Sequence, residues 1–265
     1  MDQPLVTIIT IVYNGERFIE QALLSVMNQT YQNIEYIIID GGSTDKTLSI
    51  IDKYRAKIPK FISEEDRGIS DAFNKGIRMA SGSFIGILNA DDWYEKRAVE
   101  GVVGVSDSAD VIYGDMNMWN DEKVDFVVKG NHLLLEHEMT LNHPTVFVRK
   151  SCYDKFGYFD ETYKCAMDYD MLLRLKVNGS RFVYVPKVLA NMRWGGFSDA
   201  RWLVGVKETL SIKNRYLPKK KFLNRLYFYR HVLAIAIPKF LTRIRLHYVV
   251  KMYRSRFSKM KKSYH

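Results

Sequence analysis

The sequence predicts an α/β fold on a mostly parallel sheet, with a basic segment appended to it. Three observations carry that expectation. Short β-branched runs alternate with helix-like segments through the first half of the 265 residues, the pattern of βαβ units. Hydrophobic residues make up 47% of the chain and charged residues 26%, which excludes a disordered or fibrous class. The charge is also divided: all 30 acidic residues lie at or before Glu208, whereas 16 of the 40 basic residues lie beyond it. Residues 1–208 are therefore expected to form the main domain and residues 209–265 a basic, aromatic-rich helical extension with a separate job.

Each element has its own signal. The run "LVTIITIV" (5–12) reads as a buried strand, and "YNGE" turns the chain into a helix over 16–28. "IEYIIID" (34–40) is a second strand, after which "GGSTDKT" opens a helix with Ser43 or Thr44 placed to cap it. "KFISEED" is a third strand, "SDAFNKGIRMA" a helix, and "SFIGIL" a fourth strand running into Asp91 and Asp92. Beyond residue 107, "DVIYGD", "VDFVV" and "TVFVRK" read as strands that include antiparallel ones. "DYDMLLRLKVN" is a helix ending at Gly179, "RFVYVP" and "VLANMRW" extend the sheet, and a helix covers 199–214.

The two cysteines, Cys152 and Cys165, form no CxxC pair and are expected to be reduced thiols. The start "MDQPLVTII" does not read as a signal peptide. No apolar run approaches the roughly 20 residues of a spanning helix, so a cytoplasmic protein is expected.

In an open α/β sheet the ligand crevice lies at the carboxyl ends of the strands. Polar residues gather at those ends: Tyr13 and Asn14, Asp40, Glu65 and Asp66, then Asn89, Asp91 and Asp92. No GxGxxG follows the first strand and "GGSTDKT" lacks P-loop spacing, which argues against dinucleotide and P-loop chemistry. Paired carboxylates without His or Cys suit Mg²⁺ or Mn²⁺, which complete their shell with water and substrate phosphates. A diphosphate-bearing substrate is the expectation.

The ordered motifs "IITIVYNG", "YIIIDGGSTDKT", "EEDRGISDAFNKGI", "ILNADDW" and "FDETYKCAMDYDMLLRL" resemble glycosyltransferase family 2 enzymes of the GT-A fold. The likeness is greatest to those building bacterial surface polysaccharides, and it covers roughly residues 4–198. It implies inverting transfer from a nucleotide-diphosphate sugar to a glycan or lipid-linked acceptor, with a divalent metal at the diphosphate. By family position Asp40 lies in the nucleoside pocket, Asp91 near the ribose, and Asp92 on the metal. Tyr13, Asn14, Asp66, Asn74 and Lys75 belong to the donor side. The family's Glu-Asp-x-Asp reads Met167-Asp168-Tyr169-Asp170 here, which puts Asp168 in the place of the catalytic base. His143 and Asp170 fall on the acceptor side.

Several positions also have plainer readings. Asp168 and Asp170 sit near a helix start, where acids are favoured in any case; Asp170 and Arg174 form an i,i+4 pair. His143 could be a half-buried structural histidine, Trp93 and Tyr94 could be core, and Asn74 and Lys75 could decorate a helix. The chain departs from the family where Gly41 replaces a second acid, and where Trp194 stands at a metal-ligating histidine. "SDARW" has Ser198 in place of the Gln of the processive enzymes' Gln-x-x-Arg-Trp, so one sugar per encounter is expected.

The tail interleaves Lys and Arg with aromatics. Within 240–252, Phe240, Leu241, Ile244, Tyr248 and Met252 share one side of a helical wheel. An anionic membrane surface suits such a helix, placing the protein peripherally on the inner face of the cell membrane. A helical cap on the core is the plain alternative, and nucleic acid, with the same electrostatic footprint, ranks last. A non-catalytic membrane or nucleic-acid adaptor on a degenerate nucleotide-sugar fold is the rival to the enzyme. Nothing in the sequence points to an oligomeric state.

Overall fold

A computed structural model describes residues 3–120, 122–194 and 201–243. The chain opens with β1 (Val6–Val12), α1 (Ile19–Met27), β2 (Ile34–Asp40), α2 (Thr47–Asp52), β3 (Lys60–Ser63), α3 (Ile69–Met79) and β4 (Phe84–Asn89). Strand β1 pairs in parallel with β2, Val12 opposite Asp40, and with β4, Ile11 opposite Asn89; β2 pairs in parallel with β3. These strands alternate two sets of buried side chains, one for each face of the sheet. Ile9, Ile37, Ile85 and Ile87 pack with Phe73 and Ile77 of α3. Ile8, Ile38, Phe84 and Leu88 pack with Leu23 and Val26 of α1. Both faces being covered explains why the strands read as continuous apolar runs.

The second half supplies β5 (Trp93–Tyr94), α4 (Ala98–Val103), β6 (Val111–Asn120), β7 (Lys123–Val128), β8 (Phe147–Arg149), α5 (Lys150–Phe156), α6 (Met167–Val177) and β9 (Phe182–Arg193). Two helices follow, α7 (Trp202–Tyr216) and α8 (Lys221–Arg243). Among the described residues, nine strands form one mixed sheet ordered β3-β2-β1-β4-β8-β6-β9-β5, with β7 beside β6. The fold is the predicted α/β type, mixed beyond β4 by the antiparallel pairing of β8. Helix α6 is buried on most of its surface and ends at Gly179, whose φ is +80°. There the Ser180 and Gly179 amides bond back to Leu175 and Lys176, closing the helix in a Schellman turn.

Three expectations change. The segments "RFVYVP" and "VLANMRW" are one strand, β9, whose register against β6 slips between Tyr113 and Asp115, opposite the stretch containing Pro186; a bulge there absorbs a residue without an amide to donate. Neither Ser43 nor Thr44 caps α2, which starts at Thr47 after Lys46; Ser43 is taken by Asp40 and Asn14. Glu208, where the composition breaks, falls inside α7, so the expected boundary between 208 and 209 cuts through a helix. Cys152 and Cys165 are both free. Ser198, Ile244, Tyr248 and Met252 lie outside the described residues. No helix among the described residues is long and apolar enough to cross a membrane.

Gly86 makes room at the centre of this sheet: a Cβ there would lie 2.5 Å from the Phe147 ring and 2.9 Å from the Tyr94 hydroxyl. Gly86→Ala is expected to destabilise the protein by about 1–3 kcal/mol, read as a lower denaturation midpoint with unchanged slope.

Candidate active site

The parallel register levels the carboxyl ends of β1, β2 and β4, and a cleft of about 1040 Å³ opens across the ends of β1 and β4. Of the residues singled out from the sequence, Tyr13, Asn14, Asp66, Asp91, His143 and Asp168 line it. Asp40, Asn74, Lys75, Asp92 and Asp170 do not line it, and each has a physical reason.

Asp40 is fully buried at the end of β2. Its carboxylate accepts from the Gly42 and Ser43 amides at 3.1 and 3.0 Å, from Ser43 Oγ at 2.5 Å and from Ser63 Oγ at 2.7 Å. Those bonds, three of them on Oδ2, tie Asp40 to the loop that follows β2, behind the cleft wall. The loop in turn holds Asn14, whose φ of +48° is a conformation that Asn tolerates better than most residues. The Asn14 amide donates to Ser43 Oγ, and Asn14 Oδ1 accepts from the Thr44 amide, both at 2.8 Å. Tyr13, 67% exposed, is left standing at the cleft edge.

Gly41 connects to Asp66. A Cβ at Gly41 would lie 2.8 Å from Asp66 Oδ2, so the Asp66 carboxylate fills space that a side chain at 41 would need. Burial pushes the Asp66 carboxyl up, against the Lys75 ammonium 2.7 Å away. Lys75 also bridges Glu64 at 2.9 Å and Asp71 at 3.5 Å, and so supports Asp66 from behind. Asn74 is committed to the Phe159 backbone, donating to its carbonyl and accepting from its amide, both at 2.9 Å. Both residues serve the site's frame.

Asp91 and Asp92 part company at the turn after β4. The Asp92 amide bonds to Asn89 O at 3.1 Å, reversing the chain into β5. Asp91 is left at the cleft wall, while Asp92 is turned inward, 2% exposed. Burial, and then Asp91, push the Asp92 carboxyl well above the usual range; Asn89 Nδ2 donates to it at 3.3 Å. Arg193, at the end of β9, donates to the Asp91 carbonyl and to Gln21, with its guanidinium 4.4 Å from the Phe18 ring centre and 4.3 Å from that of Trp93. A protein cation thus already offsets the acidic pair. The sequence-based metal ligand, Asp92, does not face the cleft; its neighbour Asp91 does. Among the described residues no three His, Cys, Asp or Glu side chains cluster as a metal cage. Asp91, the carboxylate that the β4 turn presents to the cleft, suits a hard divalent cation that takes its other ligands from water and substrate phosphates. Trp194, where a histidine was sought, is exposed and edge-on to Phe126.

Asp168 sits in the first turn of α6, its Oδ1 accepting from the Tyr169 amide at 2.8 Å. Burial pushes its carboxyl up to about 6, partly offset by that bond. His143 lines the cleft too, stacked on Phe73 at 5.0 Å, and its Nε2 has no hydrogen-bond partner. Burial pushes the imidazole down to about 4, so it is neutral at ordinary pH. The two side chains also share a small cavity of about 10 Å³, room for about one water. Asp170 is fully buried away from the cleft, 3.6 Å from Arg174, so the plainer reading as a helix ion pair describes it.

Sequence reasoning passed over Arg67, Glu161 and Arg201 as cleft residues. Arg67 meets Asp71 at 3.0 Å and Glu161 at 3.1 Å. Arg67 and Glu161 lie inside motifs already noted, "EEDRG" and "FDETYK", so proximity to Asp66 and Asp168 was the usable signal.

Residues 7–172 match the family described as "Glycosyl transferase family 2". The chain belongs to glycosyltransferase family 2. A chondroitin synthase of Escherichia coli is 32% identical over 198 residues, covering 71% of this chain and 29% of that protein. The chain spans 29–61% of the lengths of three curated relatives that it matches. Among solved structures, S. aureus TarS 1–349 in complex with UDP-GlcNAc superposes with a TM-score of 0.69 at 20% identity, over 87% of this chain and 73% of that one. The mannosyltransferase PcManGT of Pyrobaculum calidifontis, in complex with GDP-Man and Mn²⁺, gives 0.63 at 18% identity, over 98% and 77%. The fold of this family 2 glycosyltransferase is therefore GT-A.

Asp168 also makes a stability prediction. Its folded pKa of about 6 lies above that of an unfolded carboxylate, about 4. Its ionisation therefore costs nothing below about pH 4; the cost grows between about pH 4 and 6 and is fully present above that. Asp168→Asn is expected to stabilise the protein by about 2 kcal/mol near pH 7 and by little near pH 4, read by thermal denaturation at both.

Proposed function

We propose that this protein transfers a sugar, with inversion, from a nucleotide-diphosphate sugar to a hydroxyl of a glycan acceptor, one residue per encounter. The observation that carries this reading is that one cleft holds Asp91 at the end of β4 and the desolvated Asp168 at the start of α6. The acceptor hydroxyl attacks the anomeric carbon, the bond from that carbon to the diphosphate oxygen breaks, and the hydroxyl proton passes to Asp168. A carboxylate with a pKa near 6 is ionised at neutral pH yet basic enough to assist, worth roughly 10²–10⁴-fold. Asp66 beside Gly41 and Tyr13 offers an acceptor and an aromatic face to the nucleoside. Asp91 is the residue to hold Mg²⁺ or Mn²⁺, which when bound would neutralise charge on the departing diphosphate. The complexes of TarS with UDP-GlcNAc and of PcManGT with GDP-Man and Mn²⁺ support a donor of this class. The chondroitin synthase relative supports a role in bacterial surface-glycan assembly.

The acceptor side of the reading rests on α8. Phe222, Leu226, Tyr229, Leu233, Ile237 and Phe240 are all exposed, and their spacing puts them in one stripe along the helix. Arg225 and Arg230 flank that stripe by the same spacing and are exposed. A second copy would bring like charges together, because no acid follows Glu208. An anionic lipid surface matches both the apolar line and the charge, and a lipid-linked acceptor at the inner face of the membrane would then lie near the cleft.

Two experiments test these readings. With Mn²⁺ and a panel of nucleoside diphosphates, one nucleotide is expected to raise the melting temperature in a metal-dependent way. Asp91→Asn should lose the metal dependence, and Asp168→Asn should keep binding while losing transfer. No shift with any nucleotide would favour a non-catalytic adaptor. Separately, Leu226→Glu with Leu233→Glu should end co-sedimentation with phosphatidylglycerol vesicles. Unchanged sedimentation, or a dimer that the double variant dissolves, would remove lipid as the occupant of α8.

A further inference from the structure

We infer that Glu208 is a positioning residue for Asp168, acting from α7 through the backbone of residues 164–166. The inference rests on the reading of Asp168 as the base. Helix α6 begins at Met167 with Ala166 as its N-cap, and Ala166 has no side chain to satisfy the free amides of a helix start. Most helices solve this locally with Ser, Thr, Asp or Asn. Here the N-cap amide of Ala166 finds its acceptor 42 residues further along the chain, and the Tyr169 amide is taken by Asp168 itself. Glu208 Oε1 accepts from the Lys164 amide at 2.8 Å, and Oε2 accepts from the Cys165 and Ala166 amides, both at 2.9 Å. The Ala166 carbonyl then accepts from Asp170 at 3.0 Å, so the peptide that Glu208 anchors is also the first rung of the helix. Asp168 lies two residues beyond that anchor.

Three charge-assisted bonds from one carboxylate to three successive amides fix position and orientation together, and the negative charge suits a helix N-terminus. Arg215, two turns along α7, holds Asp160 at 3.1 Å, so the segment leading to the base is held at both ends by one helix. A cap on residue 166 itself would have stabilised α6 without tying it to α7. The link from outside sets where the first turn sits against the cleft wall, and hence how far the half-buried Asp168 is shielded from water.

The test uses full-length Glu208→Ala and Glu208→Gln. Gln keeps an oxygen for at least one amide but presents an NH₂ group to the rest, so its effects should fall between wild type and Ala. With the donor in view, Glu208→Ala should lower kcat by about 10²-fold, the scale of a misplacement of about 1 Å, at unchanged KM for donor. Around Asp168 lie His143 across the small cavity, Cys165 on its own loop and Arg201 on the same cleft wall; Glu208 acts on Cys165 and on the backbone of residues 164–166. His143 is neutral in the range concerned, so the acid limb of the pH–rate profile reports Asp168. Admitting water to the base should move that limb to lower pH, further for Ala than for Gln. Charge loss alone would shift both variants equally, and that result would overturn the inference. So would unchanged kcat, or a fall in kcat matched by the fraction unfolded.

A readout without turnover separates this inference from the proposed activity. Carboxylate NMR of Asp168 and amide exchange at residues 164–170 should both change in Glu208→Ala. If wild type transfers no sugar, the activity is refuted, yet these measurements still decide the link between Glu208 and Asp168; their constancy would refute it.

Discussion

Strand β1 hydrogen-bonds in parallel to β2 on one side and to β4 on the other, and the cleft depends on that register. Because Val12 lies opposite Asp40 and Ile11 opposite Asn89, the polar residues after β1, β2 and β4 emerge at one edge of the sheet. A shift of one residue would exchange the faces of a strand and send Asp91 into the core. The strands themselves are held by two apolar layers, so the edge is rigid without any contribution from the groups that do chemistry.

At that edge, carboxylates of one kind acquire different characters from their surroundings. Asp40 is held by hydroxyls and amides. Asp66 is balanced by the Lys75 ammonium. Asp92 is buried beside Asp91 with Arg193 nearby and is pushed strongly towards its neutral form. Asp168 is desolvated, and its carboxylate accepts from the Tyr169 amide. Separating similar groups by environment is how one fold assigns acid, base and binding roles.

The order of strands and helices was legible because each element carries its own period and breakers. Tyr13, Asn14, Asp66, Asp91, His143 and Asp168 were legible as a group because strand ends and family motifs coincide on them. Family position put Asp92 rather than Asp91 on the metal, but the two are adjacent and alike, and a single turn decides which one faces the cleft. Asn74 looked like a ligand group because the Phe159 backbone that it satisfies becomes a neighbour only on folding. Glu208 stood out solely as the last acid in the chain, since its partners lie over 40 residues upstream. Burial and long-range partners, which decide these cases, leave no local signature.

Strand β9 lies between β6 and β5, although it is the last strand of the described chain. A ribosome delivering this protein therefore completes β5 and β6 long before the strand that belongs between them. Until residues 182–193 arrive, both strands keep an unpaired edge, and Asp91 and Asp92 wait for Arg193. Pairings of such sequence separation form late and slowly, and open edges in the interval are where chains associate wrongly. The strand next to the β5 edge is thus the youngest of the finished sheet, and the fidelity of that side's assembly hangs on it.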